Sequence, residues 1–85
     1  MKKVVIYTTS VCPYCLRAKA LFERKGIKYE EINVENDNSL REKMILAAGG
    51  KKTVPQIFIE DIAIGGCDDL YALESQGKLK ELVGY

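Results

Sequence analysis

The residues able to do chemistry are few and their spacing is informative. The chain has 85 residues, no histidine and three cysteines. Lack of histidine excludes imidazole acid–base catalysis, imidazole metal ligation and a histidine pH switch. Cys12 and Cys15 frame Cys12-Pro13-Tyr14-Cys15, at the start of a segment rich in helix formers. Cysteines three apart at a helix start are close enough for a disulfide across one turn. Cys12 there meets unpaired N–H groups and the positive end of the helix dipole. That favours thiolate, so its pKa is expected well below about 8.5. Arg17 and Lys19, a turn or more away, add positive potential. Cys15 falls inside the helix and is expected to be the more buried. The asymmetry makes Cys12 the attacking thiol and Cys15 the resolving one.

Other uses of the pair are weaker. Structural zinc wants four ligands, and only Cys67 and carboxylates are left to complete a set, so no metal is expected. A purely structural disulfide exposed at a helix start would be readily reduced. A CxxC beside a βαβ pattern is the cue for a redox motif. The odd cysteine count argues against a secreted, disulfide-stapled scaffold.

Two further segments carry possible chemistry. Thr53-Val54-Pro55-Gln56 places proline at a strand entrance, where it is tolerated. A cis Val54–Pro55 bond would instead leave the Val54 N–H and C=O facing outward, ready to pair with an extended peptide. Gly65-Gly66-Cys67-Asp68-Asp69 is a strand–turn–helix junction. Its plain reading is a glycine turn with acids complementing the helix dipole. Its functional reading is a carboxylate site at the N–H groups of Cys67 and Asp68. The Asp68 side chain would hold a neighbouring ammonium, and the two together would take an α-amino acid head. Cys67 itself reads as a small buried hydrophobe.

The elements that must position these residues follow from periodicity and punctuation. Val4 to Tyr7 is a β-branched and aromatic run, read as a buried strand. Pro13 suits the first turn of a helix running to Lys25. Cys15, Ala18, Leu21 and Phe22 form its inner face, and Gly26 stops it. Tyr29 to Val34 is a second strand. Asn38 or Ser39 is expected to cap a second helix with Leu40, Met44, Ile45 and Ala48 inward, ended by Gly49-Gly50. Gln56 to Ile59 is a third strand, Glu60-Asp61 a tight connection and Ala63-Ile64 a short fourth. A helix begins near Cys67, Gly77 interrupts it, and a last short helix runs from Lys78 to Val83. The order β-α-β-α-β-β-α makes the first strand pair parallel, with a right-handed crossover, and the last pair antiparallel. The fold class is α/β, a small mixed sheet with helices on both faces.

Composition bounds the rest. Residues 1–85 are one domain's worth of chain. Thirteen Lys+Arg against twelve Asp+Glu leave a net charge of +1, which speaks against a nucleic-acid partner. The apolar start is shorter than a secretory h-region of about 7–15 residues, and no stretch nears the roughly 18 needed to span a bilayer. A cytoplasmic protein with free thiols, away from membranes, is expected.

In this order, CPYC, TVPQIFI and GGCDDL resemble the dithiol glutaredoxin family of the thioredoxin-fold superfamily, in its bacterial glutaredoxin 3 type. The likeness runs from Val4 through Leu82. It implies a thioredoxin fold with a four-stranded mixed sheet of order 2-1-3-4, a cis Pro55, and a monomer. It implies glutathione as reducing cosubstrate and glutathione-dependent thiol–disulfide oxidoreduction of disulfide-bonded or glutathionylated proteins, with ribonucleotide reductase one candidate partner. In the implied groove Cys12 faces the glutathione sulfur and Tyr14 lines the wall. The Val54 backbone pairs with the cysteinyl unit, with Thr53 and Pro55 alongside. Cys67 and Asp68 meet the glutamyl carboxylate. Lys51, before Lys52, meets the glycyl carboxylate. One departure stands out: Thr9 holds a position where many members carry lysine. Two competing functions are a thioredoxin-like redoxin reduced by a flavoprotein and an iron–sulfur carrier bridged through Cys12 and glutathione. Asp68 and the Lys51-Lys52 pair speak against the first. Pro13 and the single accessible thiolate speak against the second.

Overall fold

The computed structural model describes residues 1–84. Its elements are β1 (Val4–Thr8), α1 (Pro13–Arg24), β2 (Glu30–Asn33), α2 (Asn38–Ala47), β3 (Gln56–Ile59), β4 (Ile62–Gly65), α3 (Cys67–Ser75) and α4 (Leu79–Val83). The strands form a single sheet in the order β2-β1-β3-β4. β1 runs parallel to β2 and antiparallel to β3, and β3 runs antiparallel to β4. This is the expected thioredoxin-type order.

Alternation along β1 and β3 sends their side chains into two cores. Val4, Ile6, Ile57 and Ile59 pack with Ala18, Leu21 and Phe22 of α1, Leu70 of α3, and Leu79 and Val83 of α4. Tyr7 and Phe58 point to the opposite face and pack with Val34, Met44 and Ala48 beside α2. Their rings meet edge-on, 5.5 Å apart. The central strands are therefore buried on both faces, as befits strands enclosed by helices. Edge strand β2 is mostly exposed.

The inner face of α1 is Cys15, Ala18, Leu21 and Phe22, as its spacing requires. Gly26, at φ 70°, takes the left-handed conformation that ends the helix. Elsewhere boundaries move. The second helix is capped by neither Asn38 nor Ser39 but by the preceding Asp37, whose Oδ1 accepts the Leu40 N–H at 3.0 Å. All three residue types cap well, and the one three before Leu40 has the reach. In α2 only Met44 is fully buried, while Leu40 and Ile45 are half-buried against the second core. β4 extends a residue beyond Ala63-Ile64 at each end, and β2 is shorter at each end than Tyr29–Val34. Lys78 caps α4 rather than opening it. Among the described residues, no helix is long and apolar enough to cross a membrane.

Candidate active site

The loop leaving β1 carries the cysteine pair into α1. Pro13 occupies the first helical turn, where a missing N–H costs nothing. Cys12 is the N-cap, with extended backbone (φ −150°, ψ 97°), and its Sγ accepts the Cys15 N–H at 3.0 Å. The cap position usually held by an oxygen is thus held by sulfur. Cys12 and Cys15 are joined as a disulfide, with Cα atoms 5.2 Å apart. Cys15 is the more buried, at 1% exposure against 8% for Cys12. The bond is not the exposed one expected of a helix start. Capping draws Cys12 Sγ inward, to 3.9 Å from the Val54 carbonyl oxygen.

The expected cations behave differently from one another. The Lys19 ammonium sits 3.0 Å from Glu31 Oε2, so a carboxylate takes up its charge. Glu31 is held below the usual carboxylate range, first by the Thr8 hydroxyl donating at 2.7 Å and, against the cost of burial, by Lys19. The Arg17 guanidinium instead lies over two rings, 5.8 Å from the Tyr14 centroid and 5.6 Å from that of Tyr71. The Tyr71 hydroxyl donates to the Arg17 carbonyl at 3.1 Å, tying α3 to α1.

Beside the cysteines runs an open groove of about 330 Å³. Tyr14, Lys51, Thr53, Val54, Pro55, Cys67 and Asp68 all line it, so one concavity gathers seven residues from three separate segments. Cys12 abuts it through Val54. Lys52, exposed, is not part of the lining. The Val54–Pro55 bond is cis. Among the described residues, nothing accepts a hydrogen bond from the Val54 N–H.

Three further residues, Gln56, Gly66 and Asp69, also line the groove. Gln56 is buried, and its amide donates to the Thr53 carbonyl at 2.9 Å and the Thr53 hydroxyl at 3.2 Å. It fixes the segment that leads into Val54. A glutamine opening an otherwise apolar strand was its only signal. Asp69 Oδ2 accepts the Gly66 N–H at 3.0 Å and so closes the first turn of α3. Gly-x-x-Asp at a helix start was the available cue.

Also lining the groove is the start of α3, with Asp68 exposed and Cys67 buried. Cys67 is a free thiol. Burial pushes its pKa up, Arg17 opposes that, and Asp68 adds to it. The first-turn N–H groups of Cys67 and Asp68 have no acceptor among the described residues. Gly65 makes the turn possible: its φ is 117°, and a Cβ there would run into the Asp69 carboxylate.

A dithiol/disulfide pair at a helix N-cap, beside a groove on a sheet of this order, defines a thiol–disulfide oxidoreductase of the thioredoxin fold. The glutaredoxin family model matches residues 4–64. The chain is 51% identical to glutaredoxin 3 of Escherichia coli, an alignment covering 98% of this chain and 99% of that protein. The solution structure of a Brucella melitensis glutaredoxin superposes with a TM-score of 0.86 at 52% identity, over 98% of this chain and 89% of the other. The crystal structure of a buckwheat glutaredoxin–glutathione complex superposes with a TM-score of 0.87 at 29% identity, over 96% and 76%. The chain belongs to the glutaredoxin family, whose members are thiol–disulfide oxidoreductases.

Proposed function

We propose that this chain is a cytoplasmic, single-domain enzyme that spends glutathione to reduce glutathione–protein mixed disulfides and protein disulfides. The observation that carries this reading is the groove. Lys51, Thr53, Val54 and the first turn of α3 line one concavity, and the Cys12 sulfur lies 3.9 Å from the Val54 carbonyl oxygen beside it. A tripeptide with a central thiol, a carboxylate at one end and an amino-acid head at the other has a group for each of those features. The buckwheat relative, solved with glutathione, supports the same ligand.

In this reading Cys12 is the nucleophile. Its thiolate is favoured by the helix end it caps. It attacks the glutathione sulfur of a mixed disulfide. The Cys12–glutathione bond forms, the bond to the protein sulfur breaks, and the protein leaves as thiolate to take a proton. A second glutathione, as thiolate, attacks the bound glutathione sulfur, releases oxidised glutathione and restores the Cys12 thiolate. With a protein disulfide, Cys12 first forms a mixed disulfide with the substrate. Cys15 then attacks the Cys12 sulfur, closes the Cys12–Cys15 bond and frees the substrate's second thiol. Two glutathiones supply the two electrons that reopen it.

The remaining residues hold the cosubstrate. The Val54 N–H and C=O pair with the cysteinyl unit as an added strand, next to Pro55, with Thr53 beside it and Tyr14 along the wall. The N–H groups of Cys67 and Asp68 take the glutamyl carboxylate, and the Asp68 side chain takes its ammonium. Lys51 takes the glycyl carboxylate. The test is glutathione-dependent turnover of a small mixed disulfide, coupled to glutathione reductase, for wild type and Cys12→Ser, Cys15→Ser and Cys67→Ser. Loss in Cys12→Ser alone is expected. Turnover in Cys12→Ser, or support from thioredoxin reductase in place of glutathione, would overturn the reading.

A further inference from the structure

The face around the disulfide has a composition that the glutathione groove does not use. From Thr9 to Leu16 the chain carries no charge, although 29% of the chain is Asp, Glu, Lys or Arg. Within that stretch Val11 is 87% exposed and Leu16 63% exposed, one just before Cys12 and the other just after Cys15. Neither lines the groove. Leaving large aliphatic side chains in water on both flanks of the reactive bond forgoes burial worth roughly 25 cal/mol per Å². Next to Leu16 stands Arg17, exposed, whose guanidinium lies over the faces of Tyr14 and Tyr71. Among the described residues it has no carboxylate partner. A cation on aromatic faces keeps its charge available to an anion from outside.

Resting on the glutathione reading above, we propose that Val11, Leu16 and Arg17 form the docking surface for the protein half of the substrate. Its partner is a protein segment that flanks its cysteine with an aliphatic residue and a carboxylate. The aliphatic side chain covers Val11 and Leu16 as the sulfurs meet, and the carboxylate meets Arg17. Charge complementarity selects an acidic segment over a basic one. Continuity with the cysteine pair places the contact where the mixed disulfide forms.

The test uses four short peptides, each glutathionylated on one cysteine. The flanking residues are Leu with Asp, Leu with Asn, Ser with Asp, and Ser with Asn. A small glutathione mixed disulfide is the control. Wild type is expected to turn over the Leu/Asp peptide with a kcat/KM roughly tenfold above the Ser/Asn peptide, the discrimination a modest apolar contact supplies. In the double variant Val11→Ser, Leu16→Ser the Leu preference falls to within about twofold, while the small disulfide is turned over as before. In Arg17→Gln the Asp preference disappears and the Leu preference stays. Equal kcat/KM for all four peptides with wild type, or a Leu preference that survives the double variant, overturns the docking surface even though the small disulfide is still turned over. Failure of wild type on the small disulfide overturns the glutathione reading and the docking surface with it.

Discussion

The N-termini of α1 and α3 both reach the candidate site, and they are built in opposite ways. At α1 the cap is a sulfur, and the first turn holds no acid. At α3 the cap is glycine, and the first turn holds Asp68 and Asp69. The helix dipole is present in both. At α1 no acid in the first turn opposes it. At α3 Asp69 turns back to the Gly66 N–H, while Asp68 stays exposed. On the proposed reading the same backbone feature stabilises a thiolate in one place. In the other, on the same reading, it receives an amino-acid head that brings both a carboxylate and an ammonium. On the proposed reading, one end performs the chemistry and the other holds the cosubstrate in register.

Removing the sulfur is the harshest test of that division. Cys12→Ser is expected to bring both routes to background in the glutathione-coupled assay, since a serine hydroxyl is not ionised by a helix end. Cys15→Ser keeps reduction of glutathione mixed disulfides and loses reduction of protein disulfides. If Cys15→Ser lost both, the two sulfurs would share the first step and the α1 end would not distinguish them.

Gly65→Ala comes next and tests how the α3 end is built. The added Cβ meets the Asp69 carboxylate in a left-handed conformation that alanine disfavours. Urea unfolding is expected to show a loss of about 2 kcal/mol. Restored stability in the double variant Gly65→Ala, Asp69→Ala, relative to the sum of the single changes, would place the cost in that contact. Additive losses would place it in the backbone alone.

Lys51→Ala and Asp68→Asn separate holding from chemistry. On the proposed reading each removes one charged contact to glutathione, worth about 1 kcal/mol where the groove is open to water. The expected result is a KM for glutathione raised severalfold with kcat nearly unchanged, because ground and transition states lose the contact equally. Unchanged kinetics in Lys51→Ala would remove it from the site. A fall in kcat in Asp68→Asn would show that the α3 end also acts on the reacting sulfurs.

Much of this was legible from local pattern. The α1 face of Cys15, Ala18, Leu21 and Phe22 follows from helical spacing, and the cap position of Cys12 follows from CxxC with proline at the first turn. The groove residues were legible as three segments, because the resemblance ties CPYC, TVPQIFI and GGCDDL together. What escaped depends on contacts distant in sequence or on near-equal neighbours. Lys19 finds Glu31 only because β2 lies beside α1. Gln56 reveals its work only once Thr53 folds back over it. That the Cys12 sulfur comes to face Val54 depends on a segment 42 residues away. Lys51 and Lys52 are chemically alike and adjacent, and only the course of the loop sends one of them to the groove. Asp37, Asn38 and Ser39 are all good caps, so the choice among them falls to where the helix begins.

The Lys19–Glu31 pair yields the smallest effect and sharpens the opening contrast. If the positive end acting on Cys12 is the helix terminus itself, releasing Lys19 from Glu31 matters to stability and hardly to the thiolate. The Glu31 carboxyl is held below its ordinary value of 4.5, first by Thr8 and then by Lys19. Its folded form therefore gains stability from ionisation above that ordinary value, and the gain is lost as pH falls through the lowered one. Glu31→Gln is expected to cost about 0.5 kcal/mol at neutral pH, the scale of a partly exposed pair. Wild type and variant then converge as the pH drops below the ordinary carboxylate range. Thermal unfolding across an acid series measures this directly. The pH dependence of Cys12 alkylation should be superimposable in the two proteins. A clear shift of that profile in Glu31→Gln would mean that Lys19 reaches the thiolate once freed, and that the α1 end draws on a side chain as well as on its backbone.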